Sequence, residues 1–214
     1  MAKPMPAALA PRKLPRQARS QATLDVIFEA TIQVLLGEGS QRLTTTRVAE
    51  RAGVSVGTIY QYYPNKQSLL YATLDRHLTR VGDAVEMAAR SAHGVTLAAM
   101  VSAVVDAFVS AKTERVEEAR ALYGIASELD SAVLVNSIGK RSIAAISAML
   151  ATSPEARFAN VHLTAYILFT AMLGPTRAML EGGAPPKMLQ ALHGQLKSLC
   201  LGYLQREASP VRHD

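Results

Sequence analysis

Apolar residues recur every three or four positions along almost the whole chain, and no strand-like alternation interrupts them. From about Ser20 to Leu36, the positions Leu24, Ile27, Phe28, Thr31, Val34 and Leu35 line one helical face, and Gly37-Glu38-Gly39 ends it. Two very short helices follow. Val48, Ala49 and Ala52 form the stripe of the first, with Thr44 placed as its N-cap and Gly53 where its end turns left-handed. Ser55 caps a second helix carrying Val56 to Tyr63, which Pro64 stops, because the residue before a proline avoids helical angles.

Beyond Lys66 the pattern predicts a long helix to about Ser91 and then three amphipathic segments, at 95–115, 114–128 and 131–150. Ser153-Pro154-Glu155 reads as a turn, with Pro154 suited to a first helical position. The last two helices, about 156–180 and 187–206, carry more apolar surface than one neighbour can cover, and Gly174-Pro175 is expected to kink the first of them. A second copy of the chain is the economical cover. The expected fold is all-α, in three parts: a Pro-broken basic arm at 1–19 expected to be disordered, a helix-turn-helix domain at 20–66, and a larger helical domain at 67–208.

Two short helices around a glycine turn are the helix-turn-helix pattern, whose second helix enters the DNA major groove. That helix sets Ile59 and Tyr63 on one side. On the other stand Ser55, Val56, Gly57, Thr58, Gln61 and Tyr62, which are short or hydrogen-bonding and suit base edges and phosphates. Gly57 is a poor helix former, so close approach of its backbone to DNA explains it better than packing does. Lys66 opposes the dipole of the helix it begins, a conflict that a phosphate there would remove.

Charge sharpens this. Residues 1–80 hold 11 Lys+Arg against 5 Asp+Glu, which is the whole net charge of +6, while residues 81–214 hold 12 of each. A basic reading head on a neutral module is the footprint of a nucleic-acid binder. The arm either adds non-specific phosphate attraction or reaches into the minor groove. Cys200 is the single cysteine, which excludes an internal disulfide and a cysteine zinc site. The longest uncharged apolar candidate, Val161 to Leu173, is too short for a membrane span, so a cytoplasmic protein is expected.

The run VAERAGVSVGTIYQYYPNKQSLL, with the helix and GEG turn before it, resembles the DNA-binding domain of the tetracycline-repressor (TetR) family of bacterial transcription regulators. The resemblance covers roughly residues 20 to 70. It implies a homodimer joined through the last two long helices, on a palindromic operator of double-stranded DNA, with middle helices enclosing an effector pocket. Carried over residue by residue, it gives Thr45 and Thr46 contacts to phosphate and a base edge. Val56, Gly57, Thr58 and Gln61 face the bases, Tyr60 and Tyr62 bond phosphates or bases, and Lys66 pairs with a phosphate. Some relatives carry a base-reading arginine where this chain has Thr46, which leaves the operator sequence open.

Candidate lining for the pocket is Met87, Met100, Phe108, Tyr123, Met149, Tyr166, Phe169 and Met172, an apolar and adaptable set that also suits ordinary core. Without Trp or an acidic cluster, a small hydrophobic effector is favoured over a cationic one. The implied function is a repressor released from its operator by that effector. A ligand-independent or architectural helix-turn-helix protein shares the front end but has no use for some 130 neutral, apolar-rich residues. An enzyme would need a nucleophile–base or metal constellation. The five histidines, including His77, His93 and His162, have no metal spacing, no cofactor is expected, and His77 reads as a surface or packing residue.

Overall fold

A computed structural model of the protein describes residues 18–129 and 131–210. The expected basic arm lies outside the described residues, except for Ala18 and Arg19, which open the first helix. Nine α-helices occur among the described residues, together with one two-residue antiparallel ladder. By its contacts the chain forms two compact units. The first holds the described residues up to His77 together with Glu117–Val135, and the second holds Leu78–Val116 with the residues from Asn136 onward.

In the first unit α1 (Ala18–Arg42) runs through Gly37 and breaks only at Gly39, whose φ of 78° a side chain would resist. It is therefore longer than the sequence pattern indicates. α2 (Thr45–Ala52) and α3 (Val56–Tyr62) follow, then the start of α4 (Lys66–Ser91) and, from further along the chain, α6 (Val116–Glu128). Ile27, Leu43, Val48, Ile59 and Leu69 are fully buried here. Burial of five such side chains, at about 1.5–3 kcal/mol each, outweighs the propensities of the short α2 and α3.

Of the two readings of His77, surface or packing, the structure shows packing. It is almost fully buried on α4, with Nδ1 3.2 Å from Oε1 of an equally buried Glu118 on α6.

The second unit packs the rest of α4 with α5 (Leu97–Thr113), most of α7 (Ala132–Leu150), α8 (Val161–Glu181) and α9 (Pro186–Glu207) around one apolar cluster. α5 supplies Met100, Val101, Val104, Val105 and Phe108, and Phe108 meets Phe169 of α8 edge-on at 6.1 Å. Arg141 of α7 ties back to Asp83 and Glu86 of α4, at 2.8 Å each.

Two expectations need correction. Pro154 does not begin a helix: α8 starts at Val161, where the Asn160 side chain accepts the Leu163 N–H at 3.0 Å. Before it, Ala156–Arg157 (β1) pairs antiparallel with Ser209–Pro210 (β2), a ladder the helical periodicity did not suggest. α8 itself continues through Pro175, whose missing N–H leaves one rung of its ladder open.

Candidate nucleic-acid interface

The two motif helices are set by their caps. Thr44 is extended, and its hydroxyl accepts the Arg47 N–H at 3.2 Å. Gly53 closes α2 at φ 65°, ψ 30°, directing its N–H to Ala49 and Glu50 while Val54 N–H donates to Ala49 at 3.0 Å. Ser55 then opens α3, accepting the Thr58 N–H at 3.0 Å with its hydroxyl 2.8 Å from that of Thr58. Each such cap is worth about 1 kcal/mol, so the angle between helices of two turns is fixed by local chemistry.

The face presented by α3 is short and polar. Gly57 and Gln61 are exposed, Val56 and Thr58 half-buried, and Tyr60 exposed, with Thr46 exposed at the start of α2. A Cβ built on Gly57 would meet nothing nearer than Ser55 Oγ at 3.6 Å, so no packing inside the protein demands a glycine there. Thr45 is buried, and its hydroxyl lies 3.1 Å from the Tyr60 hydroxyl, joining the start of α2 to α3.

Tyr62 is the misplaced residue. The sequence reading put it on the open face, but it is buried beside Tyr63, with ring centroids 6.4 Å apart. Tyr63 has already left the helix at φ −124°, ψ 117°, so the helical wheel that opposed the two rings does not apply. Tyr63 also packs on Phe28 at 6.0 Å, and burial pushes its hydroxyl up to about 12. Arg76 stacks over Phe28 and pairs with Asp25 of α1, whose carboxyl that hydrogen bond pulls below its ordinary value.

Lys66 reaches back from the start of α4, its Nζ donating to the Ser40 carbonyl at 2.7 Å. Asn65 and Ser68 satisfy the orphan amides of that helix reciprocally, Ser68 N–H to Asn65 Oδ1 at 2.8 Å and Asn65 N–H to Ser68 Oγ at 3.2 Å. This Asn-x-x-Ser box was visible in the sequence but not read. Two exposed cations of α2 also went unread: Arg47, paired with Glu38, and Arg51, whose Nε donates to Gln33 at 2.7 Å. Their partners on α1 fix side chains that composition alone cannot place.

The candidate pocket residues divide. Met100, Phe108, Met149, Phe169 and Met172 come together in the apolar cluster of the second unit. Met87 and Tyr166 are exposed, and Tyr123 belongs to α6 in the first unit. Among the described residues, no three His, Cys, Asp or Glu side chains gather as a metal site.

Comparison with known proteins agrees with this geometry. Residues 27–73 match the family described as bacterial regulatory proteins, tetR family, and residues 96–204 match the tetracyclin repressor-like C-terminal domain. The chain is similar to the HTH-type transcriptional repressor KstR of Mycolicibacterium smegmatis, with 38% identity over 63 residues, 29% of this chain and 31% of that protein. In such alignments the chain spans about a third of the length of the curated relatives it matches. Two solved structures share the fold across most of the chain. A transcriptional regulator from Cytophaga hutchinsonii has a TM-score of 0.68 at 16% identity, covering 88% of this chain and 100% of that one. SmeT, the repressor of the Stenotrophomonas maltophilia multidrug efflux pump SmeDEF, has a TM-score of 0.65 at 18% identity, covering 89% and 92%.

Proposed function

Because the chain belongs to the TetR family of bacterial regulatory proteins, we propose that it acts as a homodimeric repressor, released from a palindromic operator by a small hydrophobic effector. DNA binding and control of transcription come with the family, and the rest is our reading of this chain. The observation that carries it is the open face of α3, where a Cβ on Gly57 would meet only Ser55 Oγ, at 3.6 Å. Val56, Gly57, Thr58 and Gln61 approach base edges, Thr46 and Tyr60 contact the operator beside them, and Lys66 exchanges the Ser40 carbonyl for a phosphate. Thr45 acts through its bond to Tyr60, and Tyr62 through its packing on Tyr63.

Dimerisation through α8 and α9 is supported by their uncovered apolar side chains. Leu163, Tyr166 and Ile167 share one exposed face of α8, and Met188 and Leu199 are exposed on α9. Tyr166 belongs to that surface rather than to a pocket. The effector enters among Met100, Phe108, Met149, Phe169 and Met172, where thioethers and two aromatic rings can repack around a guest. Its binding favours a dimer whose recognition helices no longer match two half-sites about one DNA turn, roughly 34 Å, or a multiple of it apart. The protein works in the cytoplasm, beside its DNA. α7 and α8 are long and apolar enough to span a bilayer, but each commits an apolar stripe to the core.

The test is a gel shift on DNA flanking the protein's own gene across a salt series, with Lys66→Met alongside. One discrete palindrome should be bound, and Lys66→Met should lower the slope of log affinity against log salt by about one. Release by apolar small-molecule extracts completes the reading. Specific binding that no extract relieves supports the ligand-independent alternative, and an unchanged slope removes Lys66 from the contact set.

A further inference from the structure

Arg47 is the third residue of α2 and Lys66 the first of α4, and no acidic residue shares either first turn. Each cation therefore opposes the dipole of its own helix. Both are held in the same place, the end of α1. Lys66 donates to the Ser40 carbonyl at 2.7 Å. Arg47 Nη1 donates to the Arg42 carbonyl at 3.3 Å and pairs with the Glu38 carboxylate. The last carbonyls of a helix have no partner within it, so residues 38–42 form a small negative pole. Glu128 of α6 steadies that turn by accepting the Ser40 hydroxyl at 3.0 Å.

The Glu38–Arg47 pair lies open to solvent, with 45% of the Arg47 side chain and 37% of the Glu38 side chain exposed. Thr46, the operator-facing residue beside Arg47, is exposed as well. An ion pair this open to water is weak and readily exchanged. A guanidinium meets a carboxylate and a phosphate with the same planar fork of donors. Glu38 thus occupies Arg47 as a phosphodiester would.

We propose that Arg47 is a further phosphate contact of this DNA-binding unit, kept in reserve by Glu38, and that the pair opens when duplex DNA arrives. The inference rests on the regulator reading above, in which Lys66 leaves the Ser40 carbonyl for a phosphate, and deepens it by adding a second cation. Arg47 docks two residues further along the same turn. A DNA backbone that draws Lys66 away therefore also presents its charge to Arg47. A phosphate there relieves the dipole conflict of α2 as it does that of α4. Glu38 is the internal competitor, and its carboxylate lowers affinity for any duplex.

The experiment follows the anisotropy of a labelled duplex of about 30 base pairs and arbitrary sequence, titrated with the full chain across a salt series. Phosphate contacts read no sequence, so the operator need not be known. Arg47→Met should lower the slope of log affinity against log salt by about one, and Arg47→Lys should restore it. Glu38→Gln should raise affinity about two- to fivefold, the worth of an exposed pair. In an Arg47→Met background Glu38→Gln should gain nothing, because its partner has gone. Helical circular dichroism of each variant should match the wild type.

A slope that Arg47→Met leaves unchanged overturns the proposal. If Lys66→Met still lowers the slope, the regulator reading stands without it. A gain from Glu38→Gln that persists in the Arg47→Met background also overturns it, since the carboxylate then acts on the DNA directly. Failure of the wild type to bind any duplex at low salt removes the regulator reading and this contact together.

Discussion

His77 Nδ1 and Glu118 Oε1 lie 3.2 Å apart, 41 residues apart in the chain and both almost fully buried. The pair joins α4 to α6 within the first unit. Truncating one member leaves the other polar group buried without this bond, a loss of about 2–4 kcal/mol. His77→Ala and Glu118→Ala should each lower urea stability by that amount. The double variant should cost clearly less than the two combined, since the second truncation removes a group that has already lost this bond. Strict additivity in a double-mutant cycle would show that the two side chains do not interact.

The two glycines of the motif should respond in opposite ways. Gly53 has φ 65° with nothing within 4 Å of a built Cβ, so Gly53→Ala pays only for backbone, about 1–2 kcal/mol of stability. Gly57 has no such angle, and Gly57→Ala should leave stability unchanged or raise it by at most about 1 kcal/mol. Operator affinity should nevertheless fall by about tenfold or more for Gly57→Ala, as an added methyl holds the backbone off the bases. Chemical denaturation and gel shift on the same preparations separate the two effects. Undiminished affinity for Gly57→Ala would remove close approach as the reason for that residue.

Lys112 makes stability depend on pH. Its ammonium is lowered from 10.5 to about 8, chiefly by burial and then by Arg177 and Arg80. Below about pH 8 both folded and unfolded chains hold the proton, and the buried charge costs its full amount, about 3 kcal/mol. Between 8 and 10.5 the unfolded chain keeps the proton that the native chain has shed, so stability rises with pH and the cost is relieved. Relative to Lys112→Met, the wild type should therefore gain stability from pH 7.5 to pH 10 in denaturant titrations. Parallel curves for the two proteins would mean that Lys112 keeps its ordinary affinity for the proton.

Charge on the exposed face of α8 should separate the subunits. Ile167 is 39% exposed, beside Tyr166 on α8, and is not one of the residues of the core cluster. Ile167→Glu should keep its helical circular dichroism, sediment as a monomer at micromolar concentration, and lose most operator affinity, because two half-sites must be held together. A dimeric Ile167→Glu protein would move the interface elsewhere.

What the sequence disclosed was what neighbours in the chain decide. Thr44, Gly53 and Ser55 cap and turn the motif through bonds spanning three to five residues, and each was readable from residue type alone. Contacts made at a distance were not. Ala156–Arg157 becomes a strand only because Ser209–Pro210 lies beside it, and Lys66 finds the Ser40 carbonyl 26 residues back. His77 looked like a lone histidine because its partner is two helices away. Tyr62 was misread for a different reason: a wheel drawn through Tyr63 assumes a helix that has already ended at Tyr62.

α6 has a bearing on how such proteins can be recombined. It lies inside the stretch 96–204 that matches the C-terminal family domain, yet its contacts group it with the helix-turn-helix unit. The backbone passes between the two units at His77, at Val116 and at Val135. A hybrid regulator made by joining another protein's first 73 residues to this chain would separate Ser40 from Glu128, which it meets at 3.0 Å, and would replace the helical start on which the motif rests. Exchange of DNA specificity would then require the graft to bring its own α6, or to keep the residues of α1 and α4 that this α6 was shaped to meet.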